Sequence, residues 1–256
     1  MTQFRPVRSL VRGLNILQAL NRRNGATVTE IAEDTSLSRG TVYRMLETLR
    51  EAGYVFRDSA DGRYRLTIMV RGLSDGFSDE SWISEIAKPR IEDLCKKVVW
   101  PIAIATIQGT TMLVRETTDK NSPLALRRIS GGFRVPILAT SAGLAYLAYC
   151  PDEQRETLLD VLSRSDAHPS DVMARNPRLI HKILGEVRER GYATTTRLHM
   201  NDSAIAVPVL PHGRIVAAIS LRYIDSALPV SAVVDKYFGE LINTAQDIAT
   251  AFEEKS

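Results

Sequence analysis

The sequence predicts an α+β fold in two unlike parts, and three observations predict it. Two short helical patterns, Val28–Thr35 and Arg39–Ala52, stand only three residues apart. A hairpin pattern follows them, with Asp61-Gly62 at its turn. From Val98 onward, antiparallel-looking strand patterns are interspersed with helical ones and closed by a long apolar-faced helix, the mixture expected of helices packed on a sheet. The expected boundaries are a first domain over 1–71, a helical linker region over 72–95 and a larger domain over 96–256.

In the first domain Val11, Leu14, Leu17 and Leu20 recur at helical spacing within Ser9–Leu20, and Asn24-Gly25 ends that helix. Thr27-Val-Thr-Glu30 is a capping-box pattern: the hydroxyl accepts from the N3 amide while Glu30 reaches back. It opens Val28–Thr35, with Ile31 and Ala32 facing inward. Ser36-Leu37 make a tight turn, Ser38 caps the next helix, and Gly53 supplies a left-handed residue at its end. Such a close pair of short helices is a helix-turn-helix signal. In the second of them Val42, Met45, Leu46 and Leu49 form the buried stripe, leaving Arg39, Thr41, Tyr43, Arg44, Glu47 and Thr48 outside. The first-turn groups Ser38, Arg39, Thr41, Tyr43 and Arg44 are basic or hydrogen-bonding, as a reader of the DNA major groove requires. The strands Tyr54–Arg57 and Arg63–Thr67 form a wing behind that helix, and Arg63 and Arg65 are expected to meet phosphates or the minor groove. The competing use of such a fold is protein contact alone.

Residues 68–95 read as a helical connector, with Gly72 and Gly76 as flex or cap points, Trp82 as a packing anchor and a kink or helix boundary at Pro89. Beyond it, strands are expected at Ile102–Ile107, Thr111–Thr117, Leu124–Ile129, Ala204–Leu210 and Arg214–Tyr223. Helices are expected at Ser141–Cys150, Asp152–Ser163, Pro177–Arg190 and Val230–Phe252.

A hydrophobic content of 44% with 25% charged residues places the chain among globular proteins, and no apolar run is long enough to span a membrane. The net charge of +3 divides unevenly: residues 1–71 hold twelve Arg against seven acids, a balance of +5 that leaves −2 for the remainder. Arg suits phosphate and guanine because its planar fork bonds at two points. Cys95 and Cys150 have neither metal nor disulfide spacing, which favours a reducing cytoplasm. His168, His181, His199 and His212 neighbour no catalytic partner, no phosphate-binding glycine loop occurs, and Ser141 lacks the Gly-x-Ser-x-Gly elbow. Hence no enzyme, cofactor or metal is expected; the rival reading is a small-molecule-binding enzyme with an accessory DNA-binding domain.

Several segments resemble the IclR family of bacterial transcriptional regulators. They are Ser9–Leu17, Leu37–Leu49, Pro136–Ala148, Gly191-Tyr192, Ala204–Pro208 and Ala217–Ser220, six landmarks in the family's order over nearly the whole chain. Val98–Pro101 and Val114–Thr118 are similar to the family's activators of hydroxyphenylpropionate and related aromatic-acid catabolism. The resemblance implies a winged helix-turn-helix bound to double-stranded operator DNA, a linker helix and a GAF-like effector domain, assembled as a homodimer or dimer of dimers. It places a small organic acid, here expected to be aromatic, near the helix turn Ser141, Ala142, Gly143, where amides and small side chains favour a carboxylate. The second wall is expected on the strand Ile215–Tyr223, where Ser220 and Arg222 share a face. Arg222 stands where many family members have a small hydroxyl residue; it either clamps the acid or pairs with an acid at the surface or at a subunit interface. Ile137, Leu138 and Ile205 are expected to cover the ring.

Overall fold

A computed structural model describes residues 6–23, 25–73, 81–125, 128–197 and 202–255. Asn24, Gly76 and His199 therefore lie outside the described residues. The chain divides into two compact units, Met1–Ser78 and Asp79–Ser256.

The first unit opens with α1 (Arg8–Arg22), α2 (Val28–Thr35) and α3 (Arg39–Glu51). The capping box at Thr27 forms as its spacing requires, with the Thr27 amide donating to Glu30 at 2.8 Å and the Glu30 amide to Thr27 Oγ1 at 3.3 Å. Ser36 turns the chain in a left-handed conformation (φ 55°), Ser38 caps α3, and Gly53 (φ 81°) releases it. β1 (Val55–Arg57) and β2 (Tyr64–Leu66) pair antiparallel into the wing, and Ala26 adds a bridge to Tyr64. Ile16, Leu20, Ile31, Val42, Leu46 and Tyr64 form the core beneath. Each such aliphatic side chain contributes about 1.5–3 kcal/mol by leaving water. The unit continues into the one-turn helix α4 (Met69–Gly72).

The second unit begins with a π-turn (Ile83–Ala87) running directly into α5 (Lys88–Val98). Pro89 thus marks a change of helical winding, since it has no amide for the α-helical ladder. Trp82 packs edge-on against Phe252, 5.4 Å between ring centres, an anchor as expected. The strands are β3 (Ile102–Gln108), β4 (Thr111–Thr117), β5 (Arg134–Pro136), β6 (Ala193–Arg197), β7 (Asp202–Val209) and β8 (Ala217–Tyr223). Among the described residues they form one antiparallel sheet in the order β5-β4-β3-β8-β7-β6.

The expected strand over Leu124–Ile129 does not form among its described residues. Ser122 folds the chain locally, donating to Val99 O and accepting from the Leu124 amide, while the Ile129 amide is taken by Asp119. The edge partner of β4 is β5 instead.

Helices cover both faces of this sheet. On one, α5 and α9 (Val230–Glu253) pack on the large side chains Ile102, Ile104, Ile205, Val207, Ile219, Leu221 and Tyr223. On the other, α6 (Ser141–Tyr149) packs on small ones such as Ala105, Ala193, Ala206 and Ala218, and α8 (Pro177–Arg190), reached through α7 (Asp152–Ser163), packs against α6. The size difference lets α6 lie close to the sheet: eight of its nine residues are buried.

Candidate functional site

Two surfaces carry the residues singled out in the sequence. The first is the outer face of α3. Ser38 accepts from the Thr41 amide at 3.3 Å, and the two hydroxyls lie 2.9 Å apart, so the helix start is held by its own side chains. Arg39 and Arg44 are exposed, their guanidiniums form no ion pair or hydrogen bond with a described residue, and Tyr43 is 50% exposed. Glu47 is turned away from this group: Arg50 donates to it at 2.6 Å and Tyr64 at 3.0 Å, and those two bonds hold its carboxyl below the usual carboxylate range. The face thus presents two uncompensated guanidiniums beside an exposed phenol.

The wing differs. Arg63 donates to Glu30 at 2.9 Å and to Gly25 O at 3.2 Å, and Arg65 donates to Asp58 and Asp61, each at 2.7 Å. Both guanidiniums already have acid partners within the unit. A phosphate approaching Arg63 competes with Glu30, whose carboxyl is itself held low by the Thr27 amide and then by the Thr27 and Arg63 side chains.

The second surface is the α6 face of the sheet. Register places Thr195, Ala204 and Arg222 in one cross-strand row, and Ala193, Ala206, Ser220 and Ala103 in the next. Ala204, Ala206, Ser220 and Ala103 make this a face of small side chains, with Ser220 Oγ 3.5 Å from Ala103 O. The first turn of α6 stands at its Thr195 side, where the Ser141 amide donates to Thr195 Oγ1 at 3.2 Å. The Gly143 amide donates to the cap Thr140 at 3.2 Å. Two of the amides expected to await a ligand therefore have protein partners already. Gly143 is small for an internal reason as well: a Cβ there would lie 1.9 Å from Ile137 O. Ala142, Ile137 and Leu138 are buried on this same α6 side.

Two expectations need correction. Ile205 pairs in register with Leu221 and packs beneath α5 and α9, on the opposite face from Ser220 and Arg222, so it is not available to cover a ring there. Arg222 is not an open clamp: its Nη2 donates to the Asp119 carboxylate, whose side chain is fully buried. Trp100 also packs beneath α5 and α9. Sequence reasoning missed Thr195 and Asp119. The Thr-rich run after Gly191 signals a strand, but nothing local couples Asp119 to a residue 103 positions away.

No group of three or more His, Cys, Asp or Glu side chains among the described residues is placed to hold a metal ion. No described helix is long and apolar enough to cross a membrane.

A helix-turn-helix with a basic outer face, followed by an α+β domain, is the architecture of a DNA-binding transcriptional regulator with a ligand-binding domain. Residues 9–59 match the IclR helix-turn-helix domain, and residues 78–250 match the bacterial transcriptional regulator IclR C-terminal domain. The chain belongs to the IclR family. It is 25% identical to the Escherichia coli HTH-type transcriptional regulator XynR, covering 86% of this chain and 87% of that protein. It is 26% identical to the Pca regulon regulatory protein of Pseudomonas putida, covering 94% and 82%. An IclR homolog from Microbacterium hydrocarbonoxydans, solved with 4-hydroxybenzoate, shares the fold with a TM-score of 0.61 at 23% identity, covering 97% of this chain and all of that one.

Proposed function

We propose that the first unit reads operator DNA with the first turns of α3, and that the second senses an aromatic carboxylic acid controlling a catabolic operon. The active form is a homodimer or dimer of dimers in the cytoplasm. Arg39, Tyr43 and Arg44 make the groove contacts from the ends of exposed side chains, while Ser38 and Thr41 hold the helix start. Arg63 is a lesser contact because Glu30 competes for it.

The observation that carries the effector reading is the small-residue face of the sheet beside the first turn of α6. Ala103, Ala204, Ala206 and Ser220 lie on the α6 side with Ile137 and Leu138, with Ser141, Ala142 and Thr195 at one end and Arg222 at the other. A ring would lie at the half-buried Ala204–Arg222 end of this face, and the hydroxyls of Thr195 and Ser220 provide donors for an acid. A relative that regulates the Pca regulon and a neighbour holding 4-hydroxybenzoate support an aromatic ligand. Covering about 100 Å² of ring contributes on the order of 2.5 kcal/mol, which separates an aryl acid from a two- or three-carbon acid by well over tenfold. Calorimetry with phenylpropionates, hydroxybenzoates, pyruvate and glyoxylate tests this; a preference for the short acids overturns it. To regulate, the ligand must also favour one quaternary state, so it must change operator affinity when added to the complex.

The proposed dimer rests on apolar side chains left in solvent. Val7, Leu10 and Leu14 are 50–63% exposed, and Ile68, Met69 and Leu73 are 54–74% exposed. A monomer in sedimentation that still protects a single operator half-site would remove the dimer.

A further inference from the structure

The wing carries a third arginine, Arg57, and strand alternation separates it from Arg65. Arg57 stands directly opposite Tyr64 in the β1–β2 pairing, and Phe56 stands opposite Arg65. Successive side chains point to opposite faces, so Arg57 shares a face with Val55, Tyr64 and Leu66, while Arg65 and Phe56 share the other. Val55 and Tyr64 are buried, and the Tyr64 hydroxyl donates to Glu47 of α3 at 3.0 Å, so the face of Arg57 is the one turned towards α3. Arg57 itself is exposed. Its guanidinium lies 5.8 Å from the centre of the Tyr64 ring, and its Nε donates to Gly62 O at 3.2 Å. The acids of the region are committed to other groups. Asp58 and Asp61 hold Arg65, and Glu30 holds Arg63. Glu47 accepts from Tyr64 at Oε1 and from Arg50 at Oε2. The charge of Arg57 adds a minor lowering to the Glu47 carboxyl, but Arg57 forms no ion pair with a described residue.

We propose that Arg57, rather than Arg63 or Arg65, is the wing's contact to a backbone phosphate of the operator. This rests on α3 entering the major groove, as read above. A helix in the groove is flanked by the phosphate backbone, and the wing face turned towards α3 is where Arg57 stands. The Gly62 carbonyl holds the guanidinium at Nε, which leaves Nη1 and Nη2 for two phosphate oxygens. Arg63 and Arg65 must break an ion pair before they can do the same; Arg57 breaks none. A phosphate contact fixes the position of α3 without reading a base, so its loss is felt on every sequence alike.

The test follows DNA binding by the full chain, by fluorescence anisotropy over a range of salt concentrations. Two duplexes are used: one selected from a random-sequence pool by the wild-type chain, and one of random sequence. Arg57→Gln should weaken both by a similar factor. It should also flatten the dependence of log affinity on log salt by about 0.9, the share of one phosphate. Arg57→Lys keeps the charge and should restore that slope. Arg63→Gln and Arg65→Gln should leave the slope near its wild-type value. Because Arg57 is exposed and unpaired, its variants should melt as the wild type does. If Arg57→Gln keeps the wild-type slope while Arg44→Ala weakens binding to the selected duplex, Arg57 is not the contact and the reading of α3 stands. A slope lowered by Arg63→Gln or Arg65→Gln, but not by Arg57→Gln, overturns the proposal too, because the acids then release their arginines to DNA. If Arg39→Ala, Arg44→Ala and Arg57→Gln all bind as the wild type does, the reading of α3 and the role of Arg57 fall together.

Discussion

Helices α3 and α6 both start from a hydroxyl cap, Ser38 in one and Thr140 in the other. Their surroundings are opposite. Of the thirteen residues of α3 only Val42 and Leu46 are buried, whereas α6 buries eight of nine. Around Gly40 in α3 nothing lies within 4 Å of an added Cβ; around Gly143 in α6 the backbone of Ile137 already occupies that space. A cap of the same chemistry thus starts two helices of opposite exposure. In α3 the turn is left open. In α6 the turn is consumed by packing.

The sharpest way to break this contrast is at the two glycines. Gly143→Ala should destabilise the second unit by about 3 kcal/mol or more, because backbone rather than a pliable side chain must move. Thermal unfolding of the full chain with a normal melting temperature would show that the Ile137–Gly143 contact can relax.

Next in size is the loss of a groove contact. Arg44→Ala should weaken operator binding by about 1–3 kcal/mol if the guanidinium bonds a base at two points. If it meets phosphate, binding falls on all sequences alike and the salt dependence drops by about one ion. Footprinting and salt titrations that leave both Arg39→Ala and Arg44→Ala unchanged would move the reading surface away from α3. The matching change in the wing, Arg63→Gln, should cost less, because Glu30 already holds that guanidinium.

Smaller still is Gly40→Ala, which should stabilise the first unit by about 0.5–1 kcal/mol through helix propensity, since the methyl meets nothing. Destabilisation in the absence of DNA would mean that the turn is not open.

The same contrast explains what could be read from residues alone. α2, α7, α8 and β4 have the expected ends because each is bounded by local chemistry: a Thr27 capping box, Asp152 after Pro151, Asn176-Pro177 with Gly191, and the Gln108-Gly109 turn. The outer face of α3 was equally legible, because one buried stripe settles where the other side chains point. β7 and β8 resist that logic because both of their faces are covered, so a period of two does not tell one side from the other. The usable signal is size: Ile205, Val207, Ile219 and Leu221 alternate with Ala206, Ala218 and Ser220, and the large set belongs with α5 and α9. Read that way, Ile205 leaves the effector site at once. The strand expected at Leu124–Ile129 failed for a different reason. Pro123 and the Ser122 turn act locally, but the group that holds Ile129 is Asp119, ten residues away.

The smallest expected effect concerns the wing's own charges, and it separates engaged arginines from open ones. Asp61 accepts from Arg65 at 2.7 Å and from the Arg63 amide at 3.0 Å, and these two bonds bring its carboxyl down from 3.8 to about 2. A carboxyl whose value is lowered on folding contributes stability above its ordinary value and loses it as the pH falls through the folded value. The wing should therefore hold at neutral pH and loosen between about 4 and about 2. The group is exposed, so added salt should blunt the effect. A carboxyl-detected NMR titration of Asp61 in the full chain gives the midpoint directly. It should lie near 2 in the wild type and return towards 3.8 in Arg65→Gln. A wild-type midpoint already at the ordinary value would mean that Asp61 does not hold Arg65, which would then depend on Asp58 alone.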